Sequence, residues 1–311
     1  MNILSSIFLG IVQGITEFLP VSSSGHLSLF QHFFGLAGTE GNMFFDVLLH
    51  LGTLISIFVY YWKDIVGLLR ELGRLIVALF GSGETKGKKP AGRGKTAEKR
   101  PDRADGRQTR RQRNDAGRPS NLTPESRMIL MIIVATLPLI AVLPIKDKVE
   151  SLYGNTIFIG CALLVTGCIL FFSDRMARGK KTARNATMLD ALLVGVGQAI
   201  AVVPGLSRSG TSISAGMMRG FQRTFAVRFS FLMSIPAVLG ANIISIKDAV
   251  EEGIDPSQIP VYIVGTVVAA IFGYFAIRLV NILADKGKFG NFAYYCWGVG
   301  AAALVATLIF R

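Results

Sequence analysis

The chain has 311 residues, 51% of them hydrophobic and only 17% charged, and its mean hydropathy is +0.48. That balance is too apolar for a soluble domain of this size and points to a membrane protein. The net charge of +13 does not indicate nucleic-acid binding, because the basic residues cluster between apolar runs and lack interleaved aromatic side chains for base stacking.

In chain order, runs of about 20 residues with few charges predict six transmembrane helices, over Phe44–Trp62, Met128–Ile145, Gly154–Phe172, Ala226–Ile246, Pro260–Leu279 and Phe292–Phe310. Two further apolar stretches are broken too early to cross. The first 30 residues are interrupted by Pro20, Ser22–Ser24 and Gly25, and no basic n-region precedes Ile3, so this segment is expected to stay in the mature protein. The second, Leu189–Met218, is interrupted around Pro204 and Gly205. Ile65–Phe80 is expected to be an interfacial amphipathic helix.

The broken stretches resemble each other. Setting Gln13 against Gln198 places Ser22, Ser24 and Gly25 on Ser207, Ser209 and Gly210 at the same offset. The basic residues lie in Lys86–Arg118, in Arg175–Arg184 and around Lys286 and Lys288, which the positive-inside rule assigns to the cytoplasm. Lys146–Tyr153 and Asp248–Gln258 then lie outside. The two motifs consequently enter from opposite faces, giving two re-entrant helical hairpins in an inverted-topology repeat whose tips meet near mid-membrane. The fold expected is an all-α polytopic membrane protein with one integral domain over 1–311. Residues 1–80 form the first hairpin, first span and amphipathic segment, and 188–311 the inverted second repeat. The segment 81–121, rich in Gly, Lys and Arg, is read as a basic, disordered cytoplasmic linker.

Cys161, Cys168 and Cys296 are isolated within predicted spans, so they are read as small apolar fillers. Chemistry must come from the two motifs. Glu17 and His26 are ionisable groups in apolar surroundings, where such groups are costly and functional by default. Arg208, flanked by Ser207 and Ser209 and bracketed by Gly205 and Gly210, presents a fork of donors beside hydroxyls and accessible amides, which suits phosphate oxygens. Structural roles compete: serines as helix caps, Glu17 and Arg208 as a buried ion pair, His26 in packing, and Gln13 and Gln198 satisfying broken backbone. His32 and His50 are read as structural. Gly265, Ala269 and Gly273 recur every fourth residue and permit close packing against another subunit, a homodimer, or against the same chain.

The string Gln13–His26, together with Phe45-Asp46-Val47-Leu48-Leu49-His50-Leu51-Gly52-Thr53, Pro204-Gly205-Leu206-Ser207-Arg208-Ser209-Gly210 and Phe229–Ala237, resembles the undecaprenyl-diphosphatase family, also called the bacitracin-resistance protein family. The resemblance covers both ends of the chain and nearly all spans. It implies hydrolysis of undecaprenyl diphosphate to undecaprenyl phosphate and inorganic phosphate, recycling the cell-wall lipid carrier on the outer face of the cytoplasmic membrane. Catalytic positions then fall on Glu17, Ser23, His26 and Arg208, and substrate-binding positions on Gln13, Ser22, Ser24, Gln198, Ser207, Ser209 and Gly210. A divalent cation, Mg or Ca, is implied, with Glu17 and Asp46 as candidate ligands. Gln13 stands where some members carry a first acidic residue, which removes one carboxylate from that set. The implied partners are the polyprenyl diphosphate lipid and the bilayer, and a flippase or polyprenyl-phosphate transporter is the rival reading. His26 would activate Ser23 or a water, and Arg208 would hold the diphosphate.

Overall fold

The computed structural model describes residues 1–34, 41–80, 122–252 and 256–309; the expected linker at 81–121 lies outside the described residues. Among those described, the fold is all-α. Twelve α-helices follow in order: α1 (Ile3–Phe18), α2 (Ser23–Phe33), α3 (Gly41–Tyr60), α4 (Trp62–Phe80), α5 (Pro124–Ile140), α6 (Lys146–Glu150), α7 (Thr156–Met176), α8 (Met188–Ile200), α9 (Arg208–Met218), α10 (Arg223–Glu252), α11 (Ile259–Asp285) and α12 (Phe292–Ile309).

Five segments are long and apolar enough to cross a membrane, and a sixth counts only if α3 and α4 are taken as one span bent by 83°. The first predicted span therefore ends at Tyr60 rather than Trp62, and the amphipathic helix begins at Trp62 rather than Ile65. The bend falls where Lys63 and Asp64 interrupt the apolar run; Asp64 is held by Arg228 at 2.5 Å. Other spans extend beyond their apolar cores because polar caps start them. Thr123 caps α5, with Pro124 at its first position, and Asn155 caps α7 by accepting from Phe158 N at 3.0 Å. The segment Lys146–Tyr153, expected as an outer loop, carries the short helix α6.

α1 and α2, and likewise α8 and α9, are too short to cross, as their broken sequences require. α1 packs along α11, and α8 packs along α5. Both contacts depend on glycine. A Cβ on Gly10 would lie 2.6 Å from the Gly265 carbonyl oxygen, and one on Gly195 would overlap the Ala135 carbonyl oxygen. Gly10 and Gly195 are separated by the same offset as Gln13 and Gln198. The Gly265–Ala269–Gly273 stripe is likewise occupied by this chain: α1 and α3 cover it, with Phe45 and Ser56 against its glycines. Of the cysteines, Cys296 is buried as a filler against the Pro20 carbonyl at 3.6 Å, whereas Cys161 and Cys168 are exposed on α7.

The connection from α7 to α8 is tied down by one fully buried carboxylate. Asp190, in the first turn of α8, accepts from Lys181 Nζ at 2.8 Å, Arg219 Nε at 2.9 Å and its cap residue's Thr187 N at 3.0 Å. Burial pushes its carboxyl up, but the hydrogen bonds from Lys181, Thr187 and Arg219 outweigh this and hold it down at about 2.

Two outcomes follow. Gly195→Ala drives a methyl into the α5 backbone and lowers stability by about 1–3 kcal/mol, whereas Gly298→Ala, with open space around it, leaves the melting temperature unchanged or higher. Because the Asp190 pKa is depressed below the unfolded value of about 3.9, its stabilisation is complete above that pH and is lost as pH falls toward 2. Melting curves of the parent should drop across that window, and Asp190→Asn should flatten the drop while lowering stability at neutral pH.

Candidate active site

The two broken stretches build the same turn with different backbone devices. After α1, Pro20 cannot continue the helix, and Ser22 takes a left-handed φ of 71°, the one non-glycine residue with positive φ among those described. Its Oγ accepts from Gly25 N at 3.2 Å, capping α2. In the second stretch the left-handed residue is Gly205, with φ 88°, and the Ser207 Oγ accepts from Gly210 N at 3.0 Å, capping α9. Ser22 and Ser207 are thus both caps, as one structural reading of the serines anticipated. Each cap hydroxyl also lies beside the serine two residues on, 3.4 Å for Ser24 and 3.3 Å for Ser209. The second turn has an additional brace. Thr166 of α7 donates to the Gly205 carbonyl at 3.1 Å and accepts from Ser207 N at 3.2 Å. A lone threonine inside an apolar span carried no signal of this role.

The turns touch. Ser209 Oγ donates to the Leu19 carbonyl at 3.2 Å, and Gly25 and Gly210 sit where a side chain would press on Gly205 and Pro20 respectively. At their junction lies the Glu17 carboxylate, 7% exposed. Arg208 Nη2 pairs with Oε1, while Oε2 accepts from Ser23 Oγ at 2.6 Å and Gln13 Nε2 at 3.1 Å. Gln13 therefore supports the carboxylate rather than the broken backbone. His50 Nε2 approaches Oε2 to 3.7 Å. Its Nδ1 donates to the Asp46 carbonyl at 2.8 Å, which fixes the ring with Nε2 toward Glu17. His50 was read as structural; folding brings α3 against the first turn and turns its ring to Glu17.

Beside this cluster is a cavity of about 470 Å³ with two unlike ends. Glu17, Ser22, Ser23, Ser24, His50, Gln198, Ser207, Arg208 and Ser209 line the polar end. Leu139 and Ile140 at the end of α5, Leu143 just after it, and Pro236 and Val238 of α10 line the apolar end, with Lys146, Glu150 and Tyr153 also on its wall. Gly210 serves the turn and Gln13 stands behind Glu17; neither lines the cavity.

Two further predicted site residues, His26 and Asp46, also lie off the cavity. His26 is 3% exposed; its Nδ1 meets the Ser22 carbonyl at 2.8 Å and its Nε2 the Tyr295 hydroxyl at 2.9 Å, with the two rings stacked. Both nitrogens are engaged away from Ser23, fastening α2 to α12. Asp46 receives Gln31 Nε2 at 3.0 and 3.3 Å and does not line the cavity. Among the described residues no three His, Cys, Asp or Glu side chains cluster as a metal cage. Of the two candidate ligands only Glu17 lines the cavity, and its oxygens are engaged by Arg208, Ser23 and Gln13.

A family model described as "Bacitracin resistance protein BacA" matches residues 6–87 and 104–302. The undecaprenyl-diphosphatase of Methanosphaera stadtmanae is 37% identical over 310 residues, covering 99% of both chains. That of Alkaliphilus metalliredigens is 37% identical over 311 residues, covering 99% of this chain and all of the relative, and that of Carboxydothermus hydrogenoformans is 35% identical over 308.

Removing one member of the Glu17–Arg208 pair leaves the other charge buried and uncompensated, which typically costs about 3–5 kcal/mol. Glu17→Gln and Arg208→Met should each lower the melting temperature markedly, and the double variant should recover most of the loss. A double variant no more stable than either single one would show that the pair contributes little to the assembly of the turns.

Proposed function

Since the chain belongs to the bacitracin resistance protein BacA family, we propose that it hydrolyses undecaprenyl diphosphate to undecaprenyl phosphate and inorganic phosphate. The observation that carries this reading is the cavity with a polar end at Arg208, Ser23 and Glu17 and an apolar end between α5 and α10. A diphosphate suits the first and the units of a polyprenyl chain nearest the diphosphate suit the second, the remainder of the tail lying in the bilayer. Each methylene removed from water contributes about 0.8 kcal/mol, so such a tail is best received directly from the bilayer.

In the proposed mechanism Arg208, aided by the Ser207 and Ser209 hydroxyls, holds the terminal phosphoryl group and offsets its charge. Ser23 attacks the terminal phosphorus as the anhydride P–O bond breaks, leaving its electron pair on the carrier phosphate. Glu17, 2.6 Å from the Ser23 hydroxyl, accepts that proton and passes it to the departing phosphate. A water then attacks the phosphoserine; the P–O bond to Ser23 breaks, and the water's proton returns to Ser23 through Glu17. A divalent cation on Glu17 would neutralise charge on the phosphates. His50 would steady the carboxylate as an imidazolium, and His26 acts at a distance by seating the Ser22–Ser23 turn.

We place the protein in the cytoplasmic membrane with the basic loops inside and the cavity opening outward. In this arrangement 1–80 and 188–311 form an inverted repeat, with α1–α2 entering from outside, α8–α9 from inside, and 81–121 as a cytoplasmic linker. The common offset of the two motifs and the contact between their turns support it. A lipid-phosphate transporter would use Arg208 in the same place, but the Ser23–Glu17 hydrogen bond favours hydrolysis.

Purified protein in detergent should release phosphate from a long-chain polyprenyl diphosphate. Arg208→Ala and Ser23→Ala should reduce kcat/KM by about 10³-fold or more. His26→Ala is expected to lose less. Absence of release by well-folded parent protein with Mg²⁺ or Ca²⁺ added would refute the phosphatase reading in favour of transport.

A further inference from the structure

The positions where the two motifs differ assign a role to Gln198. At the offset that matches Gln13 with Gln198, Glu17 corresponds to Val202 and Ser23 to Arg208. In the first half the Gln13 Nε2 donates to the Glu17 carboxylate four residues away, while its Oε1 is buried without a partner and away from the cavity. In the second half Val202 stands where that carboxylate would be, and the Gln198 amide is left with no partner on either Nε2 or Oε1, although the residue is 1% exposed. Arg208 Nη1 is likewise buried and unpartnered. All three residues, Gln198, Val202 and Arg208, line the same cavity.

Buried polar atoms without partners are unfavourable and uncommon. Backbone repair does not account for Gln198, since no group of the interrupted helix bonds to it. Gln13 Oε1, Thr211 Oγ1 and Asn242 Nδ2 are also buried without partners, but only the Gln198 and Arg208 atoms belong to residues that line the cavity, where a ligand can reach them. Two of these cavity atoms are donors and suit phosphoryl oxygens, but Gln198 Oε1 is an acceptor and requires an O–H. A deprotonated phosphate offers none, whereas the water that hydrolyses it does.

We propose that Gln198 is a positioning residue for the hydrolytic step. Its Nε2 donates to a non-bridging oxygen of the terminal phosphoryl group beside Arg208 Nη1, and its Oε1 accepts a hydrogen bond from the attacking water. This rests on the phosphatase reading above and leaves its bond changes unaltered: the water oxygen joins phosphorus, the bond to Ser23 breaks, and the proton travels through Glu17. Val202 completes the arrangement by keeping a second carboxylate away from the phosphoryl oxygens.

The test compares parent, Gln198→Met and Gln198→Glu for kcat, KM and thermal melting, the last with and without inorganic phosphate. Gln198→Met should lower kcat/KM by about tenfold or more, mainly through kcat, while raising the melting temperature of the ligand-free protein because an unpartnered amide is replaced by an apolar chain of similar shape. Phosphate should raise the melting temperature of the parent more than that of Gln198→Met. Gln198→Glu, which sets a carboxylate against the phosphoryl oxygens, should be the more severely impaired. A lowered melting temperature in Gln198→Met would reveal a structural hydrogen bond and overturn the proposal, as would kcat/KM within about twofold of the parent. Should the parent itself release no phosphate, the phosphatase reading fails; parent release with an equally active Gln198→Met removes only the role of Gln198.

Discussion

Glu17 and Arg208 sit 191 residues apart in the chain and form an ion pair between two interrupted helices. A lone carboxylate or guanidinium in apolar surroundings is strongly disfavoured, and pairing is what makes either residue tolerable there. The turns must therefore meet for the chain to fold. Their backbone detail serves that contact: the left-handed Ser22 and Gly205, the capping hydroxyls, and the absence of side chains at Gly25 and Gly210 bring the two tips within hydrogen-bonding range. Farther out, Gly10 and Gly195 allow α1 and α8 to lie against the carbonyls of α11 and α5, which sets the depth at which the turns stop.

The same pair couples stability to chemistry. Glu17 holds the cation that faces the cavity and the hydroxyl of Ser23 on opposite oxygens of one carboxylate. Displacing either partner changes the charge felt by the other. The halves are alike in outline yet contribute different groups. One supplies an acid and a hydroxyl, the other a cation and an unpartnered amide. Symmetry explains why the turns have the same caps; asymmetry puts a carboxylate-bonded hydroxyl and a guanidinium on one cavity.

The cavity's two-sided lining follows from where the turns sit among the spans. α5 ends at Ile140, shortly past Pro138, and the chain then runs through Leu143–Ile145 into α6, so apolar residues at and just beyond the end of α5 line the cavity together with α10. The fold thus places the polar and apolar ends side by side, which suits an amphiphile presented from a bilayer.

Apolar runs of spanning length, the proline and glycine breaks at Pro20 and Pro204–Gly205, and the common offset of the two motifs were all legible in the amino-acid sequence, because they depend on local backbone chemistry and on solubility in lipid. The pairing of Glu17 with Arg208 was foreseeable for the same reason, each being too costly alone. Side-chain direction was not legible. His26 and His50 are both histidines among apolar residues, and nothing local distinguishes the one that bonds Ser22 and Tyr295 from the one that turns toward Glu17. The brace from Thr166, the unpartnered amide of Gln198 and the bend after Tyr60 also depend on neighbours supplied by remote segments. Periodicity and composition determined which segments could be buried and broken; tertiary packing alone decided which polar atoms within them found partners and which were left facing the cavity.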